Sequence, residues 1–309
     1  MSEKAAGSET RAALIAGVAC YVLWGFSPLI YQPMGAAGAD AWEIMAHRAV
    51  QGSIWAAGLV WLARQSGELS TVLRDRRTLA WLALSTLMIA TNWSLFIWAV
   101  NNRHTLETSL GYYLNPLLTM ALGAWLFRER ISRLGFLAIG LASVGVVLQA
   151  VALGRLPVIS LALAVSFAIY GVIRKQVKAS AQTGLFVECL FMFPLGLAWL
   201  IWLHGQGQGH LFQTPQATAW LLLAGPITVG PLVLFSWAAR RLPLTSVGFL
   251  QFIAPTLSFV IGVAQGEAFT LLRGISFGFI WVGAAVFLLV AVMKARAARQ
   301  ALRDAAGPA

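Results

Sequence analysis

The chain has 309 residues, of which 59% are hydrophobic and 11% charged, with a mean hydropathy of +0.76 and a net charge of +11. A soluble domain carries about 25% charged residues, so this composition excludes a water-soluble globule. The positive charge is spread between apolar runs and no recognition motif accompanies it, which argues against nucleic acid as a partner.

Ten apolar stretches predict membrane-spanning helices at about 12–31, 42–63, 79–100, 106–127, 134–151, 156–173, 183–203, 217–239, 244–264 and 271–293. Each is long enough, at about 1.5 Å per residue, to cross about 30 Å of hydrocarbon. The first follows Lys4 and Arg11 but runs on through Trp24, Phe26 and Leu29 without a small-x-small cleavage site, so it reads as a retained helix. The two ends, 1–11 and 296–309, and the Gly/Gln-rich loop at 204–216 are expected to be poorly ordered. Cys20 and Cys189 lie inside apolar runs, without CxxC spacing, and read as small packing residues.

Basic residues divide the loops. Both ends and alternate loops hold eighteen of the 22 Lys and Arg, including Arg64, Arg74, Arg76 and Arg77, then Arg128, Arg130 and Arg133, then Arg174, Lys175 and Lys178, then Arg240 and Arg241. The other loops hold Arg103, Arg155 and Arg273, and Arg48 lies within a span. By the positive-inside rule both termini are expected in the cytoplasm of a bacterial inner membrane, which an even number of spans permits.

Shifted by 139 residues, the chain matches itself. Leu95, Phe96, Trp98 and Ala99 fall on Leu234, Phe235, Trp237 and Ala238; Pro116 falls on Pro255, Leu118 on Leu257, Gly123 on Gly262 and Gly135 on Gly274. Five spans are an odd number, so the second copy would enter from the opposite face. The flanking charge agrees: the fourth span ends in Arg128, Arg130 and Arg133, whereas its copy ends near Glu267 without a basic cluster. The expected fold is an all-α membrane protein of ten transmembrane helices in two inverted five-helix repeats, 1–151 and 152–294, with a tail at 295–309. Inverted repeats place a solute site near the midplane between the halves.

Polar groups are costly in lipid, which marks the candidates. Asn92, Asn115 and Gln251, with the aromatic residues Trp24, Tyr112, Tyr113 and Tyr170, read as a mixed amide and aromatic pocket, or as interhelical hydrogen bonding. Pro116 and Pro255 each free a carbonyl four residues earlier and are expected as hinges, or as static kinks. Glu43 and His47 share a helix face with Arg48 beside it; they read as a coupling or gating group, or as an ion pair positioning the second span. Glu188 reads as a proton relay, or as a partner for Arg174 or Lys175. Gly262 with Gly266, and Gly274 with Gly278, are expected to pack helices closely.

These strings resemble a known family. Trp24-Gly25-Phe26-Ser27-Pro28, Glu43-Ile44-Met45-Ala46-His47-Arg48, Thr91-Asn92-Trp93, Gly111-Tyr112-Tyr113-Leu114-Asn115-Pro116 and Gly248-Phe249-Leu250-Gln251-Phe252 are similar to those of the EamA branch of the drug/metabolite transporter superfamily, in its RarD-type proteins. The resemblance covers nearly the whole chain. It implies a carrier for small metabolites or drugs, with a cavity lined by the first, third, fourth, sixth, eighth and ninth spans.

The expected function is therefore a secondary transporter working by alternating access, as a monomer or homodimer, without cofactor or metal. The alternatives are a facilitated-diffusion channel and a non-transporting membrane protein. An enzyme is not expected. HExxH and the ATP-binding GxxxxGK[ST] string are absent, and the four histidines are expected to lie apart.

Overall fold

The computed structural model describes residues 3–101, 105–153, 158–265 and 270–305. Among them the chain forms fourteen α-helices and no strand. The first half holds α1 (Glu3–Gly25), α2 (Pro28–Ala36), α3 (Ala41–Leu62), α4 (Ser66–Arg74), α5 (Arg76–Asn101), α6 (Thr105–Leu126) and α7 (Arg133–Leu153). The second holds α8 (Val158–Gln176), α9 (Ala181–Gly205), α10 (Pro215–Leu222), α11 (Ala224–Arg241), α12 (Leu244–Gln251), α13 (Ile253–Ala264) and α14 (Leu271–Ala305).

Each of the ten apolar stretches falls on one helix or a pair. Six segments are long and apolar enough by themselves to cross a membrane: Ser8–Ala36, Arg76–Phe96, Arg133–Val151, Val158–Gln176, Ala181–Gly205 and Pro215–Arg241. Leu244–Ser258 and Gly274–Val290 are shorter apolar helices. The 22-residue α3 is diluted by Glu43, His47, Arg48 and Gln51. Large apolar side chains such as Trp61, Trp125, Phe136 and Leu195 face outward, which suits lipid and not water.

Three of the stretches are broken, and each break lies just before a proline. A proline cannot donate to the carbonyl four residues back. Pro28 follows the turn at Phe26 and Ser27, Pro226 follows the break at Leu223, and Pro255 follows the break at Phe252. At the first break the Ser27 hydroxyl donates to Trp24 O at 2.7 Å, so that carbonyl is not left bare. Gly25 is required there by close approach: a Cβ would lie 2.7 Å from Leu257 Cβ where α1 crosses α13. By contrast α6 runs unbroken through Pro116.

Polar contacts gather the basic loops at one end of the bundle. Glu129, just after α6, accepts from Leu244 N at 2.6 Å, Thr245 N at 2.9 Å and Thr245 Oγ1 at 2.8 Å, capping α12. Glu68 on α4 accepts from Ser180 N at 2.6 Å and so holds the start of α9. Lys175 donates to Leu242 O, and Arg241 pairs with Glu9 at 2.7 Å. Asp75 starts α5 at the same end; hydrogen bonds from Thr78 hold its carboxyl below the usual range. At the other end Gln32 and Gln265 exchange amide hydrogen bonds of 3.0 and 3.2 Å.

Several expectations change. The region after α3 was expected as a plain loop but contains α4, whose Val72 is buried beside Ile173 and Val187. Helix α1 already starts at Glu3, and the Glu9–Arg241 pair ties it down. Helix α14 extends to Ala305. The loop after α9 is held by polar contacts, described below. Arg103, His104, Arg155, Gly266 and Glu267 lie outside the described residues.

Helices pair as α7 with α14, α3 with α9, α6 with α8 and α12, α1 with α11 and α13, α5 with α8 and α9, and α3 with α11. The α7–α14 contact is close-fitting at glycines of both helices. A Cβ at Gly145 would lie 2.5 Å from Ser276 O, and one at Gly283 would lie 2.6 Å from Ala138 O. The expected Gly274–Gly278 pair does not do this, because Gly278 faces open space. Gly145→Val should therefore destabilise the chain by about 1–3 kcal/mol through overpacking. Gly278→Val should change little. Thermal unfolding of both variants in detergent checks this, and equal losses would refute the assignment.

Candidate functional site

Two stripes of α3 do different work. Asp40 caps the helix by accepting from Glu43 N at 2.7 Å. The Glu43 carboxylate turns away to the loop after α9. There it accepts from His210 N at 2.6 Å and from His210 Nδ1 at 2.7 Å. His47, one turn on, stands 3.9 Å from Glu43 through Nε2 and accepts at Nδ1 from Gln51 at 3.3 Å. Gln51 then fills the break between α10 and α11, donating to Leu221 O at 3.0 Å and accepting from Gly225 N at 3.2 Å. Glu43, His47 and Gln51 thus form one buried seam that joins α3 to the second half. The expected separation of the histidines does not hold, since His47 and His210 meet at Glu43. No set of three His, Cys, Asp or Glu suited to a metal ion occurs among the described residues.

Arg48 faces another way. Its guanidinium lies 4.0 Å from the centre of the Trp93 ring and 5.5 Å from that of Tyr31. Its Nε donates to Thr228 Oγ1 at 3.0 Å, and Nη1 approaches Met45 Sδ at 3.6 Å. Thr228 is buried and is itself anchored to Ala224 O at 2.6 Å. Tyr112, packed on Phe96 at 5.5 Å, lies within the field of the same charge. Among the described residues no carboxylate pairs with Arg48.

A row of polar groups runs through the interior. Arg174 is fully buried; Nη1 donates to Glu188 Oε1 at 3.4 Å, Nε to Ser236 Oγ at 3.0 Å and Nη2 to Ala181 O at 3.1 Å. Ser85 also donates to Glu188 Oε1. A Cβ at Gly184 would lie 3.0 Å from Arg174 Cζ, so the guanidinium sits flush on α9. Tyr170 stacks on Phe235 at 5.6 Å with its hydroxyl towards Glu188, and Tyr21 turns its hydroxyl towards Gln251. Gln251 Nε2 donates to Thr119 Oγ1 at 3.2 Å. The hydroxyls of Tyr21 and Tyr170, Glu188 Oε2, Gln251 Oε1 and Asn115 Oδ1 are buried without a hydrogen-bond partner.

The predicted residues thus part company. Trp24 and Tyr170 join Tyr21, Phe167 and Phe235 in one aromatic cluster. Asn92 is a stitch between helices, donating to Leu163 O at 2.7 Å and Ser166 Oγ at 3.0 Å. Tyr113 reaches across to Pro255 O at 3.4 Å. A cavity of about 430 Å³ opens between α2 and α10, lined by Leu29, Gln32, Pro33, Ala36, Ala37 and Gln216; none of the seven expected pocket residues lines it. Sequence reasoning missed Tyr21, Ser85, Gln51, Trp93, Thr228 and Ser236. Single hydroxyls, amides and aromatics inside apolar runs carry no periodic signal. Of the two partners expected for Glu188, the structure pairs it with Arg174, while Lys175 turns to Leu242 O.

Gly274-Ile275-Ser276-Phe277-Gly278 has the GxSxG spacing of a hydrolase nucleophile turn. It forms no such turn. Ser276 is buried inside α14 and donates to Leu272 O at 2.8 Å.

Removing one member of a buried ion pair strands the other, at about 3–5 kcal/mol. Arg174→Met should cost about that much, and Arg174→Met with Glu188→Leu should cost less than Arg174→Met alone. Unfolding of the wild type, Arg174→Met, Glu188→Leu and the double variant in detergent measures this; simple additivity of the two substitutions would sink the pairing.

The model of the family described as "EamA-like transporter family" matches residues 11–151 and again 157–289. An uncharacterized transporter of Vibrio cholerae is 38% identical over 295 residues, covering 95% of this chain and 97% of that one. Protein RarD of Escherichia coli is 38% identical over 290 residues, covering 93% and 97%. A solved crystal structure superposes with a TM-score of 0.68 at 22% identity, over 90% of this chain and 98% of that one, which speaks to the fold alone. With its apolar helices and these bacterial relatives, the chain is a multi-pass membrane protein and belongs to the EamA-like transporter family.

Proposed function

We propose that this protein is a secondary transporter in which two five-helix halves of opposite orientation move a small solute by alternating access. The observation that carries the reading is the set of buried oxygens on Tyr21, Tyr170, Glu188, Gln251 and Asn115, drawn from both halves and without a close, well-aligned hydrogen-bond partner. A native interior leaves few such groups, because each costs about 1–3 kcal/mol. Polar atoms held only loosely by one another between two halves suit a chamber that a hydrated solute enters.

The pairing of helices supports the two-fold arrangement. Exchange of the halves turns the α1–α11 contact into α8–α5, and α6–α8 into α13–α1. It leaves α3–α9, α7–α14 and α6–α12 paired with their own counterparts. The family match falls once on each half. The gathering of basic loops at one end supports cytoplasmic termini. In this reading the Gln32–Gln265 amide pair closes the outer end, while Glu129, Glu68 and Lys175 hold the cytoplasmic end. Pro255, beside the break at Phe252, is the better placed of the two hinge candidates.

A bis-thiol cross-link between Gln32→Cys and Gln265→Cys should stop solute flux in proteoliposomes, and cleavage of the linker should restore it. The native Cys20 and Cys189 are buried, so background reaction is low. Unchanged flux in the cross-linked protein would defeat alternating access. Asn115→Leu should abolish flux while membrane insertion stays normal. A cysteine at the exposed Thr71 should resist an impermeant thiol reagent added to whole cells, and labelling there would reverse the orientation.

A further inference from the structure

We infer that Arg48 is the recognition group for the solute and that the solute is a small organic monoanion, a carboxylate carried on an apolar or aromatic body. The inference rests on the transporter reading for the word solute, though not for the binding itself.

Arginine offers five N–H donors in a planar fork. Arg48 uses Nε on Thr228 and one Nη1 proton on the weak acceptor of Met45, which leaves three donors without a protein partner among the described residues. The fork is held in place before any ligand arrives. Trp93 lies under its face, Tyr31 flanks it, and the buried Thr228 fixes its Nε edge. Aromatic faces stabilise a cation without neutralising it, so the charge stays available.

The surroundings choose the ligand's charge. Glu43, the nearest carboxylate along α3, is taken by His210. Glu188 is taken by Arg174 and Ser85, and that pair also consumes the other deep cation. Lys175 and Arg241 are engaged at the basic end. Among the described residues, one free positive charge remains on this face of α3. A carboxylate neutralises one guanidinium through two parallel hydrogen bonds. A phosphate dianion would need a second cation, which the site does not supply. The rings of Trp93, Tyr31, Tyr112 and Phe96 leave the rest of the ligand an apolar, flat environment.

The test uses the purified full chain in lipid nanodiscs and two isosteric pairs, benzoate against benzamide and hexanoate against hexanamide, with phenyl phosphate as a further arm. Thermal stabilisation gives each affinity. The wild type should bind the carboxylates at least about tenfold more tightly than the neutral amides, and more tightly than phenyl phosphate. Arg48→Gln should erase the preference, and Arg241→Gln should leave it unchanged. Should Arg48→Gln fail to fold, Arg48→Lys decides. It keeps the charge but loses the fork, so carboxylate affinity should fall about tenfold while amide affinity holds. Equal binding of carboxylates and amides by the wild type, binding of neither, or a preference that survives at Arg48→Gln or is undiminished at Arg48→Lys, overturns the inference. Solute flux is read on the same preparations in proteoliposomes. Flux without an Arg48-dependent preference leaves the transporter reading standing and removes this one. Carboxylate binding through Arg48 without flux of any solute does the reverse.

Discussion

Inside hydrocarbon there is no water to pair a stray carbonyl or amide, so a helix that crosses it must satisfy its own backbone. Every proline inside a helix lifts that condition at one carbonyl, and at three of them the helix breaks. The polar groups they free are met by side chains: Ser27 closes on Trp24 O at its own break, and Gln51 closes the break between α10 and α11 from a different helix. Near the third break Tyr113 donates from α6 to Pro255 O, a different carbonyl from the one this proline frees. The irregular points of the bundle therefore fall where helices of the two halves meet. The polar residues needed for repair make those meeting points polar as well.

Arg174, fully buried, and Arg48, partly buried, show how context separates identical chemistry. Arg174 is enclosed by a carboxylate, a serine hydroxyl and a backbone carbonyl, and acts as a bolt between α8, α9 and α11. Arg48 is set among rings with one threonine and one thioether. A buried ion pair is weak evidence for stability, since desolvation offsets much of the attraction. What the Arg174 pair does supply is a fixed geometry, with Gly184 giving the guanidinium room against α9.

Much of the fold was legible in the sequence because the bilayer imposes a coarse rule: long apolar runs are helices. The runs, the spacing of basic residues and the self-match at 139 residues follow from it. The breaks were less legible. Pro116 and Pro255 occupy equivalent positions, yet α6 stays whole while the other stretch breaks at Phe252. A missing donor removes one hydrogen bond in either case, and the surrounding packing decides whether the helix yields. The candidate residues were legible by type but not by task. Asn92 and Gln251 are both amides in apolar runs, and only the fold shows the nitrogen of the first engaged twice by α8 while the carbonyl of the second lacks a close partner. The pairing of Glu188 was legible as a choice between Arg174 and Lys175, and the fold makes the choice.

The amide of Gln51 has a mechanical consequence. Its two ends are spoken for at once, by an acceptor on the last turn of α10 and a donor on the first turn of α11. Sliding α3 by a single residue along that junction would orphan both together, with nothing nearby to replace them. The three helices are therefore keyed as one solid piece, and any rocking of this membrane protein has to be taken up at seams elsewhere.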